Sequence, residues 1–90
     1  MRLDAKVDRN QGEIVAGLRD VGASVVLLHR VGQGCPDLAV GYRGFTYFLE
    51  VKYPGGSLTA DEADFFANWK GNAAVVYSID DALRVIGATE

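Results

Sequence analysis

The chain is poor in the residues that staple, anchor or export a protein. One cysteine, Cys35, stands among 90 residues, so no internal disulfide forms and a reducing, cytoplasmic setting fits better than an oxidising one. Apolar runs such as Val25-Val26-Leu27-Leu28 span a handful of residues, against the roughly 20 that a membrane-crossing helix needs. Met1-Arg2-Leu3-Asp4 has no apolar stretch behind it, so no signal peptide is expected. There is no internal repeat, low-complexity run or linker. Zinc-ligand spacing, a phosphate-cradling glycine loop and a Ser/His/Asp set are also missing, which leaves no sign of a small-molecule cofactor. What is present is ordinary globular material, 49 % apolar and 23 % charged. It is enough for one domain, 1–90, whose core is thin. A chain of this size buries only about 60–65 % of its unfolded surface, and a partner subunit would help it.

Charge is unevenly placed. The net charge is −3, which argues against a simple nucleic-acid coat protein. Yet residues 1–52 carry seven Lys/Arg against six Asp/Glu, whereas residues 53–90 carry two against six. If acids of the front half hold cations, the surface left there is basic.

The periodicities predict seven elements. Residues 1–7 have no pattern and read as a loose arm. A helix is expected over 9–21, capped by Asp8 or Asn10 with Gln11 or Glu13 as capping-box partner, its stripe formed by Ile14, Val15, Leu18 and Val21, and its stop supplied by Gly22. Within residues 24–30, Val25-Val26-Leu27-Leu28 is apolar on both faces, so the segment reads as a covered, central strand. Residues 37–42 and 45–52 read as a hairpin turning at Arg43-Gly44. Thr59, with Glu62 three residues on, caps a helix over 60–70 whose buried side is Phe66 and Trp69, flanked by Ala63 and Phe65. A short buried strand over 73–77 and a helix over Ile79–Ile86, capped by Ser78 and stopped by Gly87, complete the chain. The order α-β-β-β-α-β-α, with a βαβ crossover at its end, implies an α/β fold with a mixed four-stranded sheet flanked by helices.

Strand geometry singles out three polar residues. Side chains two apart share a sheet face, so Glu50 and Lys52 point the same way. With Tyr42 paired to Phe45 across the turn, Asp37 falls directly opposite Glu50, Cβ atoms about 4.5–5.5 Å apart. Two like charges so placed destabilise a sheet unless compensated. Lys52 alone is one compensation. A divalent cation is the other, since hard oxygen ligands from two carboxylates suit Mg²⁺. Each residue singly is more often a solvated or turn residue. Convergence by register, beside a glycine-rich loop, favours a site.

Pro36-Asp37 followed by Glu50-Val51-Lys52 resembles the PD-(D/E)XK nuclease signature, and the strand order resembles that restriction-endonuclease-like core. More closely, Gly34-Cys35-Pro36-Asp37-Leu38, Gly41-Tyr42-Arg43-Gly44, Leu49-Glu50-Val51-Lys52, Leu58-Thr59 and Trp69-Lys70-Gly71 are similar to the small stand-alone VRR-NUC proteins of bacteriophages. The resemblance runs over roughly residues 8–87. It implies a Mg²⁺- or Mn²⁺-dependent endonuclease acting on DNA, with Holliday-junction-like branched DNA as substrate class. It implies Asp37, Glu50 and the backbone carbonyl of Val51 as metal ligands and Lys52 as catalytic lysine. It also implies a site role for an acid on the first helix, where Glu13 stands. Relatives often carry glutamine near the start of the helix after Leu-Thr, where this chain has Glu62. Ionised glutamate cannot donate a hydrogen bond to a phosphate or water as glutamine can.

Arg30, Arg43, Lys6 and Arg9 are expected phosphate contacts, with Gln33 in the loop before Cys35. His29 reads as a rim histidine, Cys35 as a small loop residue and Trp69 as core. Cutting two strands needs two sites, so a homodimer with two-fold symmetry is expected, located in the cytoplasm of a bacterial host if phage-encoded. The competing reading is a non-catalytic nucleic-acid-binding or assembly subunit that keeps the fold.

Overall fold

A computed structural model describes residues 9–89. The loose arm expected over 1–7, Asp8 as a cap and Lys6 as a phosphate contact all lie outside the described residues, as does the side chain of Arg9. The elements are α1 (Arg9–Asp20), β1 (Ser24–Leu27), β2 (Leu38–Tyr42), β3 (Phe45–Val51), α2 (Ala60–Asn68), β4 (Asn72–Val76) and α3 (Ile79–Ile86). The sheet order is β1-β2-β3-β4, antiparallel at the first two pairings and parallel between β3 and β4. This is the mixed four-stranded α/β arrangement that the patterns imply. No helix among the described residues is long and apolar enough to cross a membrane.

One face of the sheet carries the core. Leu38, Val40, Leu49, Val51 and Val76 are buried against Ile14, Val15 and Leu18 of α1 and Ala82 and Ile86 of α3. These strand positions alternate, as one face of a pleated sheet requires. α1 ends a residue before the expected limit. Gly22 takes a left-handed φ of +92°, and the Gly22 and Ala23 N–H groups donate to the carbonyls of Arg19 and Leu18. That double closure is the Schellman motif, and it leaves Val21 exposed instead of in the stripe. α3 closes the same way at Gly87, onto Arg84 and Leu83.

Three expectations need correction. Residues 24–30 do not form a covered central strand. β1 stops at Leu27 and lies at the sheet edge, with Val26 56 % and Leu27 47 % exposed. Apolar residues on both faces are not enough to bury a strand that has a neighbour on one side only. Asn10 is not a helix cap with Glu13 as its partner. It lies within α1, and its Nδ2 donates to the carbonyls of Lys52 (3.3 Å) and Tyr77 (3.2 Å), tying the ends of β3 and β4 to the helix. Finally, α2 has no buried residue. Trp69, expected in the core, is its C-cap and is 43 % exposed. The helix rests on the second face of the sheet through an aromatic cluster instead. Phe48 meets Phe65 and Trp69 edge-on at 5.8 and 4.8 Å, and Phe65 stacks on Trp69 at 5.2 Å.

The N-terminal cap of α2 forms as the sequence indicates. The Thr59 side chain accepts from the Glu62 N–H and Glu62 Oε1 accepts from the Thr59 N–H, a complete capping box. The loop between β1 and β2 packs against this end. A Cβ on Gly34 would lie 2.3 Å from the Asp61 carbonyl oxygen, at a φ of +81°. Gly32 has a similar φ of +76° but open space around it.

The pair gives a test of that docking. Gly32→Ala should carry only the left-handed backbone penalty, about 1–2 kcal/mol. Gly34→Ala adds a backbone clash and should total about 3 kcal/mol, a fall in Tm of roughly 10–20 °C. Equal melting temperatures for the two variants would show that the loop does not rest on α2.

Candidate functional site

The hairpin sets the site. Its observed register pairs Tyr42 with Phe45 and Leu38 with Leu49, as the Arg43-Gly44 turn requires. Arg43 and Gly44 both have positive φ, +52° and +86°, the combination of a type I′ turn. Carrying the register one step past Leu38 places Asp37 opposite Glu50. Asp37 is half-buried. Its Oδ2 accepts the Val51 N–H at 2.9 Å, a donor that the ladder leaves behind where β2 ends. In an antiparallel ladder the N–H and C=O of one residue point the same way, so the Val51 carbonyl faces the Asp37 side.

Glu50 is the buried acid among the described residues. It is only 3 % exposed, and its Oε1 is buried with no hydrogen-bond partner. Its Oε2 lies 3.5 Å from Lys52 Nζ. Burial pushes its carboxyl up to about 8 from the ordinary 4.5, with the charges of Asp37 and Glu62 and a side-chain hydrogen bond to Glu62 adding to it, and Lys52 offsetting only part. A carboxylate buried with one oxygen unpartnered is costly, and neutralisation is the usual escape.

Lys52 reaches further. Its Nζ lies 2.8 Å from Glu62 Oε1, so the capping-box acid of α2 also closes the site. Partial burial acts to lower the Lys52 pKa, but the Glu62 hydrogen bond and charge, with those of Glu50, outweigh it and raise it. Glu62 is itself resisted by burial. Lys52, the Thr59 N–H and Glu50 nonetheless hold it below the usual range. The Cys35 thiol is raised by burial first and then by the charges of Glu50 and Asp37, which keeps it protonated and unlike a nucleophile.

Asp37, Glu50, Val51 and Lys52 are thus gathered at one end of the hairpin. Arg30 and Gln33 are exposed in the loop that leads to Cys35 at the same end, Gln33 with a left-handed φ of +58°. Arg43 sits over the Tyr42 ring in the turn at the other end of β2, roughly 17 Å of strand away. His29 is exposed beyond β1. Glu13 is exposed on α1, and among the described residues no group of three or more His, Cys, Asp or Glu is disposed to hold a metal. The cation ligands that the hairpin brings together are two carboxylates and a backbone carbonyl. That set matches Mg²⁺, which usually keeps several waters, and the unpartnered Glu50 Oε1 is a vacant oxygen donor in it.

The sequence offers Glu62 as a cap and, by resemblance, as the residue at a glutamine position, but not its hold on Lys52. The Thr-x-x-Glu pattern already accounts for the residue locally, and nothing in the local sequence shows that the loop folds this helix end back over β3. Comparison with family models, curated proteins and solved structures finds no match to this chain.

The pH dependence follows from Glu50. Between about pH 4.5 and 8 the folded chain holds a proton that the unfolded chain has lost, so this group's contribution is full below that window and is lost as pH rises through it. Thermal melts of the metal-free protein should show stability falling across the window. Glu50→Gln should flatten that slope and raise stability near pH 8 by about 1 kcal/mol or more. Mn²⁺, which requires the ionised carboxylate, should raise Tm more at about pH 8 than at about pH 6. A melting temperature of the parent chain that is flat over the range would refute the burial argument.

Proposed function

We propose that this chain is a divalent-metal-dependent endonuclease of the PD-(D/E)XK type, similar to the VRR-NUC proteins, which hydrolyses phosphodiester bonds in branched DNA such as a four-way junction. The observation that carries the reading is Glu50: a buried carboxylate with an orphaned oxygen, set opposite Asp37 by the hairpin register, with the Lys52 ammonium 3.5 Å from its other oxygen. Such a group weakens the metal-free fold, and structural roles do not require it. Asp37 and Glu50, with the Val51 carbonyl, are the groups that would hold Mg²⁺ or Mn²⁺. Bound there, the ion supplies Lewis-acid polarisation of a phosphoryl oxygen and activation of a water.

The chain's own residues supply the rest. Lys52, held protonated by its two acid neighbours, places a positive charge where charge grows on the phosphorus oxygens. Arg30 and Gln33, at the same end as the acids, serve to hold the backbone phosphates. Glu13 is a further carboxylate for which the resemblance suggests a site role through water. One chain provides one such centre, so paired cuts call for a two-fold homodimer.

The test uses a labelled four-way junction and a matched duplex with Mg²⁺ or Mn²⁺. The junction should be nicked, chelator should abolish the reaction, and Glu50→Ala and Lys52→Ala should each lower the rate by about 100-fold or more. Cleavage that survives either substitution, or persists in chelator, removes this site from the chemistry. Tight junction binding with no cleavage would favour a binding subunit instead. Sedimentation velocity should show a dimer at working concentration.

A further inference from the structure

The Lys52 ammonium stands between two acids of different origin. Glu50 comes from the sheet and Glu62 from the first turn of α2. The distances are unequal, 2.8 Å to Glu62 and 3.5 Å to Glu50, so the helix acid has the closer hold. The Glu62 carboxylate is held for that purpose by a bond of its own, since its Oε1 also accepts the Thr59 N–H at 2.9 Å; the Glu62 N–H, donating to Thr59 Oγ1, serves the helix cap. The helix end that carries it is in turn seated against the Gly34 loop.

We propose that Glu62 is a positioning residue for Lys52: it draws the ammonium away from Glu50, so that the buried carboxylate stays open to the divalent cation while the lysine is held to one side of it. This rests on the metal-site reading of Asp37 and Glu50. It also gives a physical meaning to the glutamate where glutamine is the residue expected by resemblance. A neutral amide at position 62 still accepts the Thr59 N–H, though less strongly than a carboxylate, and it holds an ammonium far less strongly. Without the Glu62 charge, Lys52 falls back on Glu50 and competes with the cation for it. Glu62 also shares a side-chain hydrogen bond with Glu50 while that carboxyl is protonated; a cation takes the ionised carboxylate and ends that contact, and Glu62 then acts through the lysine.

Two substitutions separate this role from helix capping. Glu62→Gln keeps the cap acceptor and removes the charge. Thr59→Ala removes the hydroxyl acceptor of the cap but leaves the Thr59 N–H, Glu62 and its pairing with Lys52 in place. Mn²⁺ affinity is measured by calorimetry on the whole chain, together with Tm and junction cleavage, in the parent and in a Lys52→Met background.

Glu62→Gln should weaken Mn²⁺ binding by about fivefold or more, with little change in Tm. Thr59→Ala should lower Tm and leave Mn²⁺ affinity within about twofold. In the Lys52→Met background, where there is no ammonium to hold away, Glu62→Gln should change Mn²⁺ affinity by less than about twofold. An unchanged affinity in Glu62→Gln overturns the proposal. So does an equal loss in the Lys52→Met background, which would make Glu62 a direct influence on the ion. The parent reading fails separately. Mn²⁺ binding without junction cleavage sinks the nuclease assignment while the affinity cycle still judges Glu62, and a parent chain that binds no Mn²⁺ overturns both.

Discussion

A carboxylate taken out of water must find a positive partner, collect hydrogen bonds or give up its charge. Glu50 is buried in the sheet, faces another acid across the hairpin, and has one oxygen without a donor. Its pKa of about 8 expresses that conflict. Much of what surrounds it answers the same conflict. Lys52 supplies charge two residues along the strand, and Glu62 fixes where that charge rests. Asp37 is diverted partly onto the Val51 N–H. Asn10 ties down the Lys52 carbonyl from α1, so the backbone that carries the lysine is anchored from the other side of the sheet.

The two faces of the sheet divide the labour. The face under α1 and α3 is a closed aliphatic core, and it fixes the hairpin register by the alternation of Leu38, Val40, Leu49 and Val51. A slip of one residue would turn every one of those side chains outward, so the core also fixes where Asp37 and Glu50 meet. The other face is lightly covered by α2, through aromatic edges and not through buried aliphatic side chains. An element held that way opens at lower free energy than the core, and it is the element that brings Glu62 to Lys52.

This division has an energetic sense. A small chain has little stability to spare, and an acid pair at a strand end reduces it. Confining the unfavourable charges to the end of the hairpin, beyond the last β2–β3 pair, leaves the ladder and the core intact. It also leaves the acids next to the exposed loop with Arg30 and Gln33.

Much of the fold and the heart of the site were legible from residues alone. Period-two alternation and a two-residue turn determine the hairpin register, and from that register follow the opposition of Asp37 to Glu50 and the company of Lys52. The caps at Thr59 and Ser78 and the stops at Gly22 and Gly87 were equally readable, because each is a local backbone requirement met by a specific side chain or by glycine. The tertiary structure alone decided what depends on neighbours far along the chain. It placed β1 at an edge although its sequence suits a covered strand, drew Asn10 away from capping to hold two carbonyls, and left Trp69 half in solvent. It also gave Glu62 a second role. Local patterns report which backbone and which face a residue prefers. Whether a strand gains a second neighbour, or a helix end swings over a lysine of another strand, depends on packing between segments that no short stretch of sequence contains.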